Sequence, residues 1–592
     1  MLVLLLCVVG VNVPFLNQAF HMDDGIYLLL AHNVDRNPWF PQDRSILFEG
    51  LYGTDLASTE HPWPFTSYLM ALCGYIGGFS ESCLHLGFLV FPIVLACSMY
   101  AIARRHTHHP ALASMTVLAL PVVCVLSHTL MTDVPLLALW VASVALFSRG
   151  VDSGRMSLVW LGTAVGTLGS LVSYSGFCLV LLLALYGILW RKRAAVLTAL
   201  IVPVTVFAFW VALNYFHYHR VVPGLLLSSY FFVKRVLSPG LLMQKSAYIV
   251  ISLGGVTIFP FFLIALSRKL WLLVGFSIAI ATSFGLGVSK YDPLQMVMFL
   301  VFFCAGFVAI IEVVRALMHS LAALKNDLQD AADELFLSLW FTGVLVFCAA
   351  VYMTGSARYL LPAIPPLVLI LFRRLECNLD ETSLRRNASA NLALSGSLAL
   401  LLSLADYQFS AIYRDFASVL RRSHSSRDGG LWFTGEWGFR AYLEQAGGQE
   451  LGRRDPRPKP GDLLIIPSLA TPYQTLFSDN LSLDSVAMVA PSRVIFDIPP
   501  VPSDGVLVYT LGMPFYDKSD GMDFSVRFVS PDVKRVLRQG RLLPSNGRRW
   551  QVEEVPLKDI AGKHGSIVFE AELAWIFAGR KDLTIWREGV RK

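Results

Sequence analysis

The chain has 592 residues, of which 55% are hydrophobic and 15% charged, against roughly 25% charged in ordinary globular proteins. With a mean hydropathy of +0.57, the apolar excess is more than soluble cores absorb, so lipid must cover much of it. Disorder, collagen and coiled coil are excluded on the same numbers. A net charge of +6 gives little pull on nucleic acid, and nine cysteines with no C-x-x-C pair or zinc spacing read as packing residues.

A spanning helix needs about 20 mostly apolar residues to cross roughly 30 Å of hydrocarbon. The first apolar run, Met1–Phe15, is read as a span rather than a signal peptide, because no basic residue precedes it and no small-x-small cleavage site follows. Later runs are Leu84–Ala103, Ala111–Ser127, Val134–Phe147, Leu158–Leu171, Ser175–Trp190, Ala194–Phe216, Ser246–Leu266, Leu270–Leu286, Pro293–Leu317, Phe336–Met353, Tyr359–Phe372 and Ala390–Leu404. Together they predict about thirteen spans. Phe65–Phe79 is a further apolar stretch. Placing it at the outer interface rather than through the bilayer puts Arg104-Arg105, Arg191-Lys192-Arg193, Arg268-Lys269, Arg315 with Lys325, Arg373-Arg374 and Arg385-Arg386 on one side, as the positive-inside tendency requires.

The expected architecture is therefore an all-α polytopic membrane bundle over residues 1–405, with 17–83 as its first extracytoplasmic segment. Residues 406–592 follow as a small extracytoplasmic domain. There Leu463–Ile466, Val506–Leu511 and Ile567–Phe577 are short β-favouring runs between Pro, Gly and charged breakers, which predicts an α/β or mostly-β fold.

The outward-facing segments hold the chemistry-bearing residues. Asp23 and Asp24 stand just beyond the first span, where a base can meet a head group emerging from lipid; the plain alternative is a solvated helix start. Asp133, in Thr132-Asp133-Val134-Pro135, opens a span, and Pro135 suits the first helical turn. Its plain alternative is an N-cap. Arg358 stands beside Tyr359 at the mouth of another span, where a guanidinium can grip a phosphate or simply snorkel. Lys290 is a second external cation. Glu60 and His61 offer a pair of metal-ligating types, but two residues do not make a site. His217, His219 and the His106–His109 group read as interfacial and topology-setting, and Gly162-x-x-x-Gly166 reads as helix packing. No G-x-S-x-G, Walker A, G-x-G-x-x-G or H-E-x-x-H pattern occurs.

In this order the motifs resemble the GT-C class of polyprenyl-phosphate-sugar-dependent membrane glycosyltransferases. The nearest likeness is to the superfamily of the lipid A aminoarabinose transferase and the protein O-mannosyltransferases. The residues that carry it are Asp23-Asp24-x-x-Tyr27, Glu60-His61-Pro62, Thr132-Asp133-Val134-Pro135 and Arg358-Tyr359-Leu360-Leu361-Pro362. Gly435-Glu436-Trp437-Gly438 and Pro460-Gly461-Asp462 extend it loosely into the tail. Ile26 and His61 stand where the aminoarabinose transferase has arginine and lysine, which weakens any inference about the particular donor.

The resemblance implies a multi-pass protein of the bacterial inner membrane that moves a sugar from a polyprenyl-phosphate donor to a hydroxyl of a lipid, glycan or protein on the extracytoplasmic face. Asp23 is then the general base, and Asp24 and Asp133 complete the catalytic group by positioning it or binding acceptor hydroxyls. Arg358, Lys290 and His61 hold the donor phosphate, and Tyr27 and Tyr359 contact substrate. A divalent ion at Glu60 is compatible with the family; no other cofactor is implied. Two other classes remain open on the residues: a ligase or polymerase using a lipid-diphosphate oligosaccharide, and a secondary transporter or lipid flippase. The transporter predicts an internal repeat and mid-membrane charges.

Overall fold

In a computed structural model, residues 1–43, 45–48, 51–55, 65–219, 239–266, 269–285, 293–323, 328–351, 356–424, 430–451, 458–459, 462–467, 486–489, 492–498, 506–512, 522–542, 551–573 and 584–586 are described. The chain divides into two compact units, Met1–Arg44 with Asp55–Ala411, and Ser45–Thr54 with Ile412–Lys592.

The apolar runs of the first unit form helices. Among the described residues six are long and apolar enough to cross a membrane, or up to eight if each of two bent pairs is one span. The chain is an integral, multi-pass membrane protein. Among the described residues, length and apolarity alone do not establish the expected count of about thirteen, because several runs form shorter helices or break. Ala111–Ser127 is two helices, Pro110–Leu118 and Pro121–Ser127, bent by 65°; Pro121 has no N–H to continue the first helix and opens the second instead. The run Ser246–Leu266 likewise breaks before Pro260, with a bend of 108°. Phe65–Gly77 is a helix of 13 residues, about 20 Å long at 1.5 Å per residue, too short to cross alone. It packs on α2 (Asp24–Asn33).

The centre of the unit is the helix Asp133–Ser153, most of which is buried. Its neighbour Met156–Val172 approaches closely because two glycines leave room. A Cβ at Gly162 would stand 2.6 Å from the backbone N of Phe147, and one at Gly166 would stand 2.6 Å from Ser143 Oγ. The Ser143 hydroxyl uses the gap to donate to the Gly162 carbonyl at 2.7 Å. By contrast, Arg193–Tyr218 leaves Leu197, Ile201, Val204 and Phe209 exposed, an apolar face suited to lipid rather than water.

One end of the bundle is closed by charge. Arg105 pairs with Asp152 and, at 2.8 Å, with Asp333, and lies over the rings of Tyr186 and Trp190. Glu376 accepts from the Thr107 hydroxyl and the His108 N–H, and Glu334 is 2.9 Å from His319 and 3.9 Å from Arg374. His109 meets Glu381 at 3.0 Å. Arg105 and Arg374, two of the arginines that set the sequence-based topology, therefore stand beside acids at their own end of the bundle.

The last apolar run, Ala390–Leu404, is shorter than the helix that contains it. It lies inside one helix, Glu381–His424, which begins in the first unit and ends in the second.

The second unit is α/β. Beyond the two-stranded β1 (Ser45–Phe48) and β2 (Leu51–Asp55), it has a seven-stranded and a four-stranded sheet. In the larger, β3 (Leu431–Phe433) pairs in parallel with β4 (Gln449–Glu450) and β5 (Leu463–Pro467), and β5 with β6 (Val486–Val489). The order then continues through antiparallel β13 (Thr584–Trp586), β8 (Val506–Gly512) and β11 (Gln551–Pro556). The smaller sheet is antiparallel, with β12 (Gly565–Leu573) between β9 (Met522–Val529) and β7 (Ser492–Ile498), and β10 (Lys534–Leu542) on the other side of β9. The Ile567–Phe577 run is described only as far as 573.

Two tail motifs have structural work here. Arg440 is buried and held by Glu436 at 2.7 Å, Glu444 at 3.0 Å and Glu450. Burial disfavours its charge, but Glu436, Glu450 and Glu444 hold the guanidinium proton above its usual range. Asp462 accepts from the N–H groups of Gly430 and Lys459 and from the Trp432 indole, at 2.6, 2.8 and 2.8 Å.

Candidate active site

At the end of the bundle opposite the arginine network, three separate segments converge. Asp23 stands just before α2 without a side-chain capping bond, Asp133 opens the central helix, and Arg358 is the second residue of the 3₁₀ turn Ala357–Ala363. Arg358 Nη1 is 3.6 Å from Asp23 Oδ2 and 3.7 Å from Asp133 Oδ2. Both contacts are longer than a good charge-assisted hydrogen bond, so the guanidinium is attracted to both acids without being saturated by either. It also lies 5.3 Å from the centre of the Tyr359 ring, a cation–π contact that steadies its direction. Burial works against its charge, yet Asp133, Tyr359 and Asp23 keep its proton held above the usual range.

The two acids differ in exposure. The Asp23 side chain is 36% exposed and that of Asp133 11%. Asp23 can therefore meet a ligand from solution or lipid, whereas Asp133 faces inward with Oδ2 free of any hydrogen bond.

Asp24 does not share their position. It has no exposed surface, and both its oxygens are used: Oδ2 accepts from the His21 N–H at 2.9 Å and Oδ1 from the Leu130 N–H at 3.1 Å. Burial pushes its carboxyl well above the usual carboxylate range, against the pull of those two N–H groups. Enclosed in this way, Asp24 links two stretches of backbone. One arm holds the turn that presents Asp23, and the other holds the loop leading to Asp133. That turn is strained, since Met22 sits at φ 47°, a region that non-glycine residues seldom occupy.

Tyr27, four residues on from Asp23, is buried. Tyr359 is partly buried and supports Arg358. Glu60, His61 and Lys290 lie outside the described residues. Among the described residues no group of three or more His, Cys, Asp or Glu is placed to hold a metal ion.

Residues not singled out from sequence also meet here. Asp406 accepts from Gln18 Nε2 at 2.9 Å and stands 3.5 Å from His21 Nδ1, so the last helix of the unit supports the turn before Asp23. The sequence signal was the acid directly after the final apolar run. His217, read as interfacial, pairs with Asp43 at 3.0 Å and stacks on Phe40.

A family model described as dolichyl-phosphate-mannose-protein mannosyltransferase matches residues 60–211, about a quarter of the 592-residue chain. The match takes in Asp133 and lies between Asp23 and Arg358. No curated protein matches. Among solved structures, the chain is similar to ArnT of Cupriavidus metallidurans bound to undecaprenyl phosphate, at 14% identity and a TM-score of 0.47, over 82% of this chain and 92% of that one. It is also similar to the oligosaccharyltransferase of Archaeoglobus fulgidus, solved with zinc and sulfate, at 14% identity and a TM-score of 0.43, over 76% and 62%. A third likeness is to the arabinosyltransferase EmbB of Mycobacterium smegmatis, at 14% identity and a TM-score of 0.35, over 100% and 64%. Over residues 60–211 the chain is therefore similar to a glycosyltransferase family.

Proposed function

We propose that this protein is an inverting membrane glycosyltransferase that moves a sugar from a polyprenyl-phosphate donor to an acceptor hydroxyl on the extracytoplasmic face. The observation that carries the reading is the convergence of Asp23 and Asp133 on Arg358, at the end of the bundle away from the basic network. Asp133 and Asp152 lie on one helix, about 28 Å apart at 1.5 Å per residue, close to the thickness of the hydrocarbon layer. With the Arg105 end cytoplasmic, the acids stand at the opposite face, where a lipid-linked donor presents its head group.

Asp23, the more exposed carboxylate, takes the proton of the acceptor hydroxyl as that oxygen bonds to the anomeric carbon. The bond from that carbon to the phosphate oxygen breaks in the same step, and polyprenyl phosphate departs with the electron pair. A positioned base of this kind contributes about 10²–10⁴-fold. Arg358, drawn only loosely to its acids, turns to the leaving phosphate and stabilises its charge away from bulk water. Asp133 restrains the guanidinium, and Asp24 keeps the two acid-bearing segments in register.

The test is transfer of labelled sugar from a panel of polyprenyl-phosphate sugars, in membranes carrying wild type or Asp23→Asn. Turnover of one donor by wild type alone is expected, with loss of at least about a hundredfold in the variant. Equal turnover by both would remove Asp23 from the chemical step.

A further inference from the structure

Lys245 is 5% exposed, and its Nζ is buried with no hydrogen-bond partner among the described residues. It lies in α12, if helices are counted in chain order (Pro239–Val256), about 9 Å along the axis from the first residue. A buried ammonium without a counter-charge is costly, and this one does not reach out to the interface as snorkelling lysines do. Its direction follows from the helix. Ala247 packs with Phe299 and Phe303 of the helix Pro293–Ala323, backed by Val250 and Ile251. Lys245 is about 160° around the axis from Ala247 at 3.6 residues per turn, on the face turned away from that helix. The other neighbours of α12 are the 3₁₀ turn Ala357–Ala363, which holds Arg358, and the helix Leu328–Val351. The same turn packs on the central helix that Asp133 opens.

Charge balance gives this position a purpose. Two acids, Asp23 and Asp133, meet one cation, Arg358. With both acids ionised the site is one charge negative and repels an incoming anion. A second cation, on a helix packed against the Arg358 turn, brings the sum to zero and removes that repulsion.

We propose that Lys245 forms the anion-binding flank of the site, its ammonium meeting the phosphate of a lipid-linked substrate across the Arg358 turn. The inference rests on the function proposed above and names a ligand residue that reading did not contain. In the free protein the ammonium waits unpaired, and substrate supplies its counter-charge.

The experiment uses the full chain in lipid nanodiscs and two probes of equal length, a polyprenyl phosphate and the corresponding neutral polyprenol. Wild type, Lys245→Met and Lys245→Arg are compared, together with their heat stability without ligand. Loss of a hydrogen-bonded charge partner predicts that Lys245→Met binds polyprenyl phosphate about 10- to 100-fold more weakly. Polyprenol binding is expected to stay unchanged, and Lys245→Arg to keep most of the phosphate preference. The Met variant is expected to be at least as heat-stable as wild type, since it removes an uncompensated charge. Unaltered phosphate binding by Lys245→Met, or equal loss of both probes, overturns the assignment of Lys245 and leaves the proposed function standing. A Met variant that is less stable or fails to fold overturns the claim that the ammonium is unpaired in the free protein. A wild type with no preference for phosphate over alcohol overturns the function and this inference together.

Discussion

The Asp133–Arg358 pair can be tested by a double-mutant cycle. Asp133 is 11% exposed and its Oδ2 lies 3.7 Å from Arg358. At an effective dielectric of about 20, unit charges near 4 Å apart attract by about 4 kcal/mol. The Asp23–Arg358 pair has a similar distance, but the Asp23 side chain is 36% exposed, so water screens it to about 0–1 kcal/mol. Arg358→Met therefore strands the buried Asp133 charge, at a cost of about 3–5 kcal/mol. Asp133→Asn alone costs less, because Arg358 keeps Asp23 and partial access to water. The double variant has no stranded charge and should recover most of the stability lost by Arg358→Met, while transfer stays abolished. Unfolding of a membrane protein is commonly irreversible, so the readout is the half-life of the monodisperse fraction at fixed temperature in nanodiscs. Coupling well beyond the ~0.5 kcal/mol expected of independent sites supports the pairing. A double variant no more stable than the sum of its singles would show that the two side chains do not interact, and the site as described would fall.

Three further outcomes are expected. Asp24→Ala leaves the His21 and Leu130 N–H groups unsatisfied, at about 1–3 kcal/mol each. Asp24→Asn, which keeps one good acceptor, should fall between it and wild type in half-life, and equal stability of all three would refute the two-armed clamp. Arg440→Met leaves Glu436, Glu444 and Glu450 around an uncompensated pocket, so the second unit should become sensitive to limited proteolysis; an unchanged digestion pattern would count against that network as its staple. In a cysteine-free background, a cysteine at exposed Trp39 should react with an impermeant thiol reagent added from the extracytoplasmic side, and one at exposed Arg155 should not. The reverse pattern would put the acids on the wrong face for the proposed reaction.

The sequence by itself determined the class of molecule. The composition, the long apolar runs and the one-sided arginine clusters are local properties, and each survives in any arrangement of the helices. Asp133 could be placed at a helix start for the same reason, since Pro135 suits the first turn and the apolar run begins one residue on. Tertiary structure decided the rest. Asp23 and Asp24 are adjacent and chemically alike in sequence, but only the packing of the 128–132 loop against α2 buries one and leaves the other accessible. Arg358 was legible as a cation at a span mouth. That it stands between two carboxylates 225 and 335 positions away depends on three segments packing together, which no hydropathy window records. Lys245 was hidden for a simpler reason. The apolar run begins at Ser246, so the lysine reads as loop, while the helix starts at Pro239 and carries it into the bundle. Local hydropathy says which segments enter the membrane, and only side-chain packing between distant segments says which charged groups face one another there.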